Sequence, residues 1–172
     1  KYRGSVLGLL WSLVNPLMMM FIYLLVFKLI MRLELENYTL FLLIGLLPWT
    51  FFSTSVTAAT TCVIENGNLL KKVQFPREVF PSSSVMFHFI QFLLALVVFI
   101  PFAIVWKDTL LWMHLLVFPL LLLFLAFTLG ICLALSALTV LYRDLKPFTE
   151  IAVALGFWVT PVVYNFELSP ES

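Results

Sequence analysis

Long apolar runs dominate the chain, and charged residues fall between them. No Asp, Glu, Lys or Arg occurs in residues 4–27, 37–64, 79–106, 109–142 and 151–166. About 20 apolar residues in a helix cross the ~30 Å hydrocarbon core of a bilayer, and four of the five runs exceed that length. The stretch LLVFPLLLLFLAF does not alternate as a transmembrane β-strand would. The pattern therefore predicts membrane-spanning helices.

These runs predict an all-α integral membrane protein with five transmembrane helices in a single domain. The helices are expected at about residues 5–30, 39–64, 79–105, 110–140 and 148–164. The short connections between them favour antiparallel neighbours in one bundle. Because the chain starts with KYRGS and stops in the loop-like ELSPES, we expect it to be part of a longer protein and incomplete at both ends.

The distribution of Lys and Arg predicts the orientation, since cytoplasmic loops retain these residues. Seven fall on one side of the predicted bundle: Lys1, Arg3, Lys71, Lys72, Arg77, Arg143 and Lys146. Three fall on the other side: Lys28, Arg32 and Lys107. The N-terminus is therefore expected in the cytoplasm.

Composition argues against several classes of function. A net charge of +1 provides no polybasic surface for nucleic acid. Cys62 and Cys132 lie within apolar runs, where a buried thiol is more common than a disulfide or a metal ligand. The sequence contains no H-E-x-x-H, G-x-S-x-G or phosphate-binding loop, and its two aspartates are predicted on opposite sides of the bilayer. We predict no catalytic, cofactor-binding or metal site in this chain.

Polar and small residues inside the spans have two interpretations. The stretch STSVTAATT, residues 53–61, carries more hydroxyls than close packing needs, which makes Ser53 and Thr57 candidates for a partly hydrated pathway. His88 and Gln91 are expected to form an interhelical hydrogen bond or, alternatively, to contact a substrate. Stripes of small residues are expected to pack helices closely: Gly4, Gly8 and Ser12; Ala126, Gly130 and Ala134; and Ala152, Gly156 and Thr160.

The fifth span has a charge-free run of only 16 residues and contains a proline. Pro161 predicts a kink followed by re-entrant structure, although an ordinary helix that ends at an interfacial Tyr164 is an equal alternative. Aromatic residues such as Trp158 are expected in the interfacial belt or, alternatively, against sugar faces.

The most charged connection is NLLKKVQFPREVFPSSSV, residues 68–85. Pro76 suits the first turn of a helix, and Glu78 suits the positive end of its dipole. The preceding residues form an amphipathic segment that includes Lys71 and Lys72. This segment either anchors the bundle to anionic lipid or docks a cytoplasmic protein.

Three motifs are specific in combination: YRGSVLGLLWSLVNP at residues 2–16, KKVQFPRE at 71–78 and YRDLKP at 142–147. In these residues the chain resembles the permease subunits of type 2 ABC exporters, which move lipid-linked O-antigen, capsule or teichoic acid. The resemblance implies a six-helix permease in the cytoplasmic membrane of a bacterium or archaeon. It also implies a dimer with a second copy of the chain, and two copies of a separate ATPase subunit that binds ATP and Mg.

The resemblance also implies roles for individual residues. ATPase coupling is expected at Lys71, Lys72, Phe75, Pro76, Arg77 and Glu78. Arg143 and Asp144 match a cytoplasmic turn. The candidates for the pathway or the outer gate are Ser53, Thr57, Trp158, Pro161 and Tyr164.

Two other functions stay open. An ABC exporter of small drugs or lipids would share the fold. An ATP-independent channel or secondary transporter would use KKVQFPRE only as an anchor, and His88 would be its candidate ionisable group. Coupled transporters usually keep several ionisable groups inside the membrane, so their scarcity here favours an external energy source.

Overall fold

The part of the chain that the structure describes contains four continuous helices. The computed structural model describes residues 38–66, 76–106, 111–142 and 144–160, together with Val14, Met18, Phe21, Ile22 and Leu25 of the first predicted span. The helices are α1 (Tyr38–Glu65), α2 (Val79–Trp106), α3 (Leu111–Leu141) and α4 (Leu145–Val159). They correspond to the second to fifth predicted spans, and the described part of the chain contains no strand.

Polar residues determine where α1 ends and α2 begins. The backbone N–H and the side-chain amide of Asn66 both donate to the carbonyl of Cys62, at 3.3 and 2.7 Å, and close the last turn of α1. The N–H of Val79 donates to the carbonyl of Pro76 at 3.2 Å, so Pro76 lies immediately before the first turn of α2. The missing N–H of proline costs nothing at that point.

Helix α4 begins and ends earlier than predicted, at Leu145 rather than residue 148 and at Val159 rather than residue 164. Pro147 lies in its first turn, where the helix does not need a proline N–H. Thr160 is extended, with φ −82° and ψ 135°, because a residue before proline is pushed out of the helical region. The N–H and the hydroxyl of Thr160 donate to the carbonyl of Gly156, at 2.9 and 2.6 Å. Pro161 and Tyr164 lie outside the described residues.

The central helix of the described bundle is α1. It packs against α2, α3 and α4, whereas α3 and α4 contact each other only slightly. Phe51 of α1 connects three helices: its ring lies 5.6 and 5.4 Å from those of Phe89 and Phe92 in α2, and 5.5 Å from that of Phe124 in α3. The buried apolar core around it consists of Leu47, Phe51, Val56, Ala59, Val85, Phe89, Phe92 and Cys132.

Two segments of the described residues are long and apolar enough to cross a membrane, namely Val79–Val97 in α2 and Phe118–Leu141 in α3. Large apolar side chains on α3, such as Phe118, Leu122 and Leu123, point away from the bundle. Contact with lipid tails stabilises such an outer surface, whereas contact with water does not.

Candidate functional site

The predicted coupling segment is described at its C-terminal end. Pro76, Arg77 and Glu78 are all exposed in the turn that leads into α2. Lys71, Lys72 and Phe75 lie outside the described residues. The described part is therefore an accessible turn with one cation and one anion, in the connection between α1 and α2.

The predicted cytoplasmic turn joins α3 to α4 through backbone hydrogen bonds. The N–H of Tyr142 donates to the carbonyl of Leu138 at 2.8 Å, and that of Leu145 to the carbonyl of Tyr142 at 3.2 Å. Asp144 is the N-cap residue of α4, but its side chain makes no capping hydrogen bond. Asp144 is exposed. Arg143 lies outside the described residues.

Five hydroxyl residues of α1 share one face, which we call the hydroxyl face. They are Thr50, Ser53, Thr54, Thr57 and Thr61. At 100° per residue these five positions fall in one stripe of the helix, away from the core residues Phe51 and Ala59. Four of them are half-buried, and Thr54 is exposed. The candidate pathway residues Ser53 and Thr57 therefore belong to one larger polar surface.

Several hydroxyl groups of the hydroxyl face donate their hydrogens to carbonyl groups within α1, which leaves their oxygen atoms as acceptors. Thr50 donates to the carbonyl of Leu47 at 2.8 Å, and both Ser53 and Thr54 donate to the carbonyl of Thr50, at 3.2 and 2.6 Å. Because these hydrogens are used within α1, the oxygen lone pairs can accept from a ligand. Two other hydroxyls of the STSVTAATT stretch, those of Ser55 and Thr60, are buried in the bundle instead.

An aromatic contact joins α1 to α4. Atom Cη2 of Trp49 lies 2.9 Å from the position that a Cβ on Gly156 would occupy. The Trp49 ring also lies 5.8 Å from the rings of Phe52 and Phe157. Residue 156 must be glycine for this approach. Trp158, the next aromatic residue of α4, is exposed and contacts Phe157 edge-on at 5.7 Å.

The polar pair predicted in the third span lies within one helix. Nδ1 of His88 is 3.2 Å from Oε1 of Gln91, and both residues are half-buried in α2. Cys62 and Cys132 are both buried and carry free thiols. Within the described residues, no three His, Cys, Asp or Glu side chains are grouped as a metal site would require.

A family model described as ABC-2 type transporter matches residues 1–171. The chain belongs to the ABC-2 type transporter family. Membership over nearly the whole chain confirms the resemblance carried by the YRGS, KKVQFPRE and YRDLKP motifs. Together with the helical bundle and its two long apolar helices, it identifies an integral membrane protein.

Three relatives of this ABC-2 chain share the name O-antigen export system permease protein RfbA. Two are from Klebsiella pneumoniae and are 40% and 38% identical over 174 residues, which cover 99% of this chain and 66% of each relative. The third is from Myxococcus xanthus and is 38% identical over 165 residues, which cover 95% of this chain and 63% of the relative. The chain therefore spans about two thirds of the length of these relatives.

Proposed function

We propose that this chain is the permease part of an ATP-driven exporter that moves lipid-linked polysaccharide out of the cytoplasm. The observation that carries the proposal is the identity of 38–40% to O-antigen export permeases over 95–99% of the chain. O-antigen is the cargo of those relatives by name, and we extend that substrate class to this chain. Capsule and teichoic acid are related polymers of the same class.

The proposed topology has five spans in this chain and a sixth in the rest of the protein. The N-terminus lies in the cytoplasm, and two copies of the protein form the transporter in the bacterial cytoplasmic membrane. The excess of Lys and Arg on one side, seven against three, supports this orientation. The lengths of α2 and α3, 28 and 31 residues, suit full spans of the bilayer.

The energy source in this proposal is a separate subunit that binds ATP and Mg and hydrolyses ATP. That subunit docks on residues 71–78, and the permease itself performs no chemistry. The exposure of Pro76, Arg77 and Glu78 supports the docking role, since a docking segment must be accessible. This connection also follows the central helix α1 in the sequence, and α1 packs against the other described helices.

The proposed pathway uses the hydroxyl face of α1. Sugar hydroxyls donate hydrogen bonds, and Ser53 and Thr54 present oxygens whose own hydrogens are used within the helix. An uncharged acceptor surface lets a polymer move on, because each contact is weak and is easily replaced by the next. We assign Trp158, Pro161 and Tyr164 to the outer gate, following the family resemblance.

The test of the docking segment replaces Lys71, Lys72 and Arg77 with Ala in the full-length protein. In cells that lack the native permease, surface polysaccharide is expected to fall to background, while the amount of permease in the membrane stays the same. The matched control replaces Lys28, Arg32 and Lys107, which are the three cations of the other side, and is expected to keep export. Normal export by the first variant would contradict the docking role.

A further inference from the structure

Helix α4 is attached to the bundle along one narrow stripe. Its packed residues are Thr149, which is buried, and Val153, Gly156 and Phe157, which are half-buried. Most of its other side chains are exposed, including the large residues Phe148, Ile151, Leu155 and Trp158. Since α4 contacts α1 more than it contacts α3, α1 determines its position within the described bundle.

The tightest point of this attachment is the contact between Trp49 and Gly156. Three atoms of the indole six-membered ring lie 2.9, 3.7 and 4.0 Å from the Cβ position of residue 156. The indole is held in place by the rings of Phe52 and Phe157, each 5.8 Å away. An indole is rigid, so it cannot fold away from an added methyl group as a long aliphatic chain can. Any displacement of Trp49 along or around α1 therefore displaces α4.

The contact joins the helix that precedes the docking segment in the sequence to the helix that precedes the proposed outer gate. From Trp49 to Glu65, α1 extends about 24 Å at 1.5 Å per residue, and the docking segment at residues 71–78 follows Glu65 in the sequence. Gly156 lies in the last turn of α4, immediately before Thr160 leaves the helix. Beyond Thr160 the chain enters Pro161 and the segment that we assigned to the outer gate.

We propose that Trp49, seated on Gly156, is the joint through which α1 sets the position of α4. Trp49 and Gly156 are thus positioning residues for export. This inference rests on the proposed function, because it assumes that movement starts at residues 71–78. Because α1 packs against α4, a movement of α1 reaches α4 without passing through α3.

The test is a compensation experiment in the full-length protein. Gly156→Ala adds the methyl group that meets Cη2 of Trp49, and it is expected to reduce surface polysaccharide at least tenfold. Trp49→Phe shortens the aromatic side chain and leaves room for the added methyl group, so Trp49→Phe combined with Gly156→Ala restores contact between the two positions and is expected to export several-fold more than Gly156→Ala alone. Gly130→Ala is the matched control, since nothing lies within 4 Å of its Cβ position. It is expected to export normally.

Two further measurements separate transmission from folding. The amount of permease in the membrane and the ATP hydrolysis of its purified complex are both expected to stay within about twofold of wild type in Gly156→Ala. A merely structural role would lower assembly, hydrolysis and export together. Should Gly156→Ala fail to assemble, Trp49→Ala removes the contact without a clash, and it is expected to keep ATP hydrolysis while export is lost.

Two results would overturn the joint: normal export by Gly156→Ala or Trp49→Ala, or a double variant that exports no better than Gly156→Ala. Failure of the proposed function is distinguishable from both. It would appear in the wild type, as the absence of polysaccharide export and of a copurifying ATPase.

Discussion

The aromatic cluster around Phe51 makes a quantitative prediction about stability. Phe51 is 3% exposed, and its ring meets those of Phe89, Phe92 and Phe124. In soluble cores Phe→Ala costs about 3–5 kcal/mol, but part of that is transfer from water, which a lipid-embedded bundle lacks. The three ring pairs, at about 0.5–1.5 kcal/mol each, give a packing loss of about 1.5–4.5 kcal/mol for Phe51→Ala.

The assay for Phe51→Ala is thermal unfolding of the full-length protein in mild detergent. A loss of about 3 kcal/mol is expected to lower the unfolding midpoint by about 6–12 °C. The matched control is Phe118→Ala, because Phe118 is 73% exposed. This substitution is expected to change the unfolding midpoint by no more than about 2 °C. Equal shifts for the two variants would refute the packing described for α1, α2 and α3.

Three further substitutions test local features of the bundle. Gly130→Ala is expected to stabilise α3 by up to about 1 kcal/mol, measured by thermal unfolding, because nothing lies within 4 Å of its Cβ position; a loss of stability would mean that another helix packs there. Asp144→Ala and Asp144→Asn are expected to lower the free energy of unfolding equally, by about 0.3–1 kcal/mol, because both remove a negative charge from the positive end of the helix dipole. In thermal unfolding, a clearly more stable Asn variant would indicate a capping hydrogen bond. Thr60→Val removes a 2.7 Å hydrogen bond to the carbonyl of Thr57 and is expected to lower the free energy of unfolding by about 1 kcal/mol. Export, measured as surface polysaccharide, is expected to continue, and its loss would assign Thr60 another partner.

The sequence predicted the helices well where length and local chemistry decide them. The start of α2 at Val79 follows from Pro76 and the polar residues before it. The end of α4 depends on one local interaction that hydropathy does not reveal. Pro161 pushes Thr160 out of the helix, so the described helix ends at Val159.

The sequence did not identify which residues meet across helices. Gly130 and Gly156 occupy similar small-residue stripes, yet only Gly156 receives a neighbouring ring, that of Trp49. Periodicity specifies a face but not what packs on it, because that depends on the positions of other helices. The hydroxyl face was missed in part for a different reason: the STSVTAATT stretch draws attention to its hydroxyls, but only helical spacing separates the hydroxyl face from buried Ser55.

The central claim is that this chain is a permease driven by a separate ATPase. The most direct measurement is purification of the tagged full-length protein from its native membrane in mild detergent, followed by identification of bound proteins and assay of ATP hydrolysis. We predict a stoichiometric ATPase whose association depends on Lys71, Lys72 and Arg77. Isolation without any ATPase, under conditions that preserve other membrane complexes, would contradict the claim and would favour an ion-coupled transporter in which His88 is the group to test.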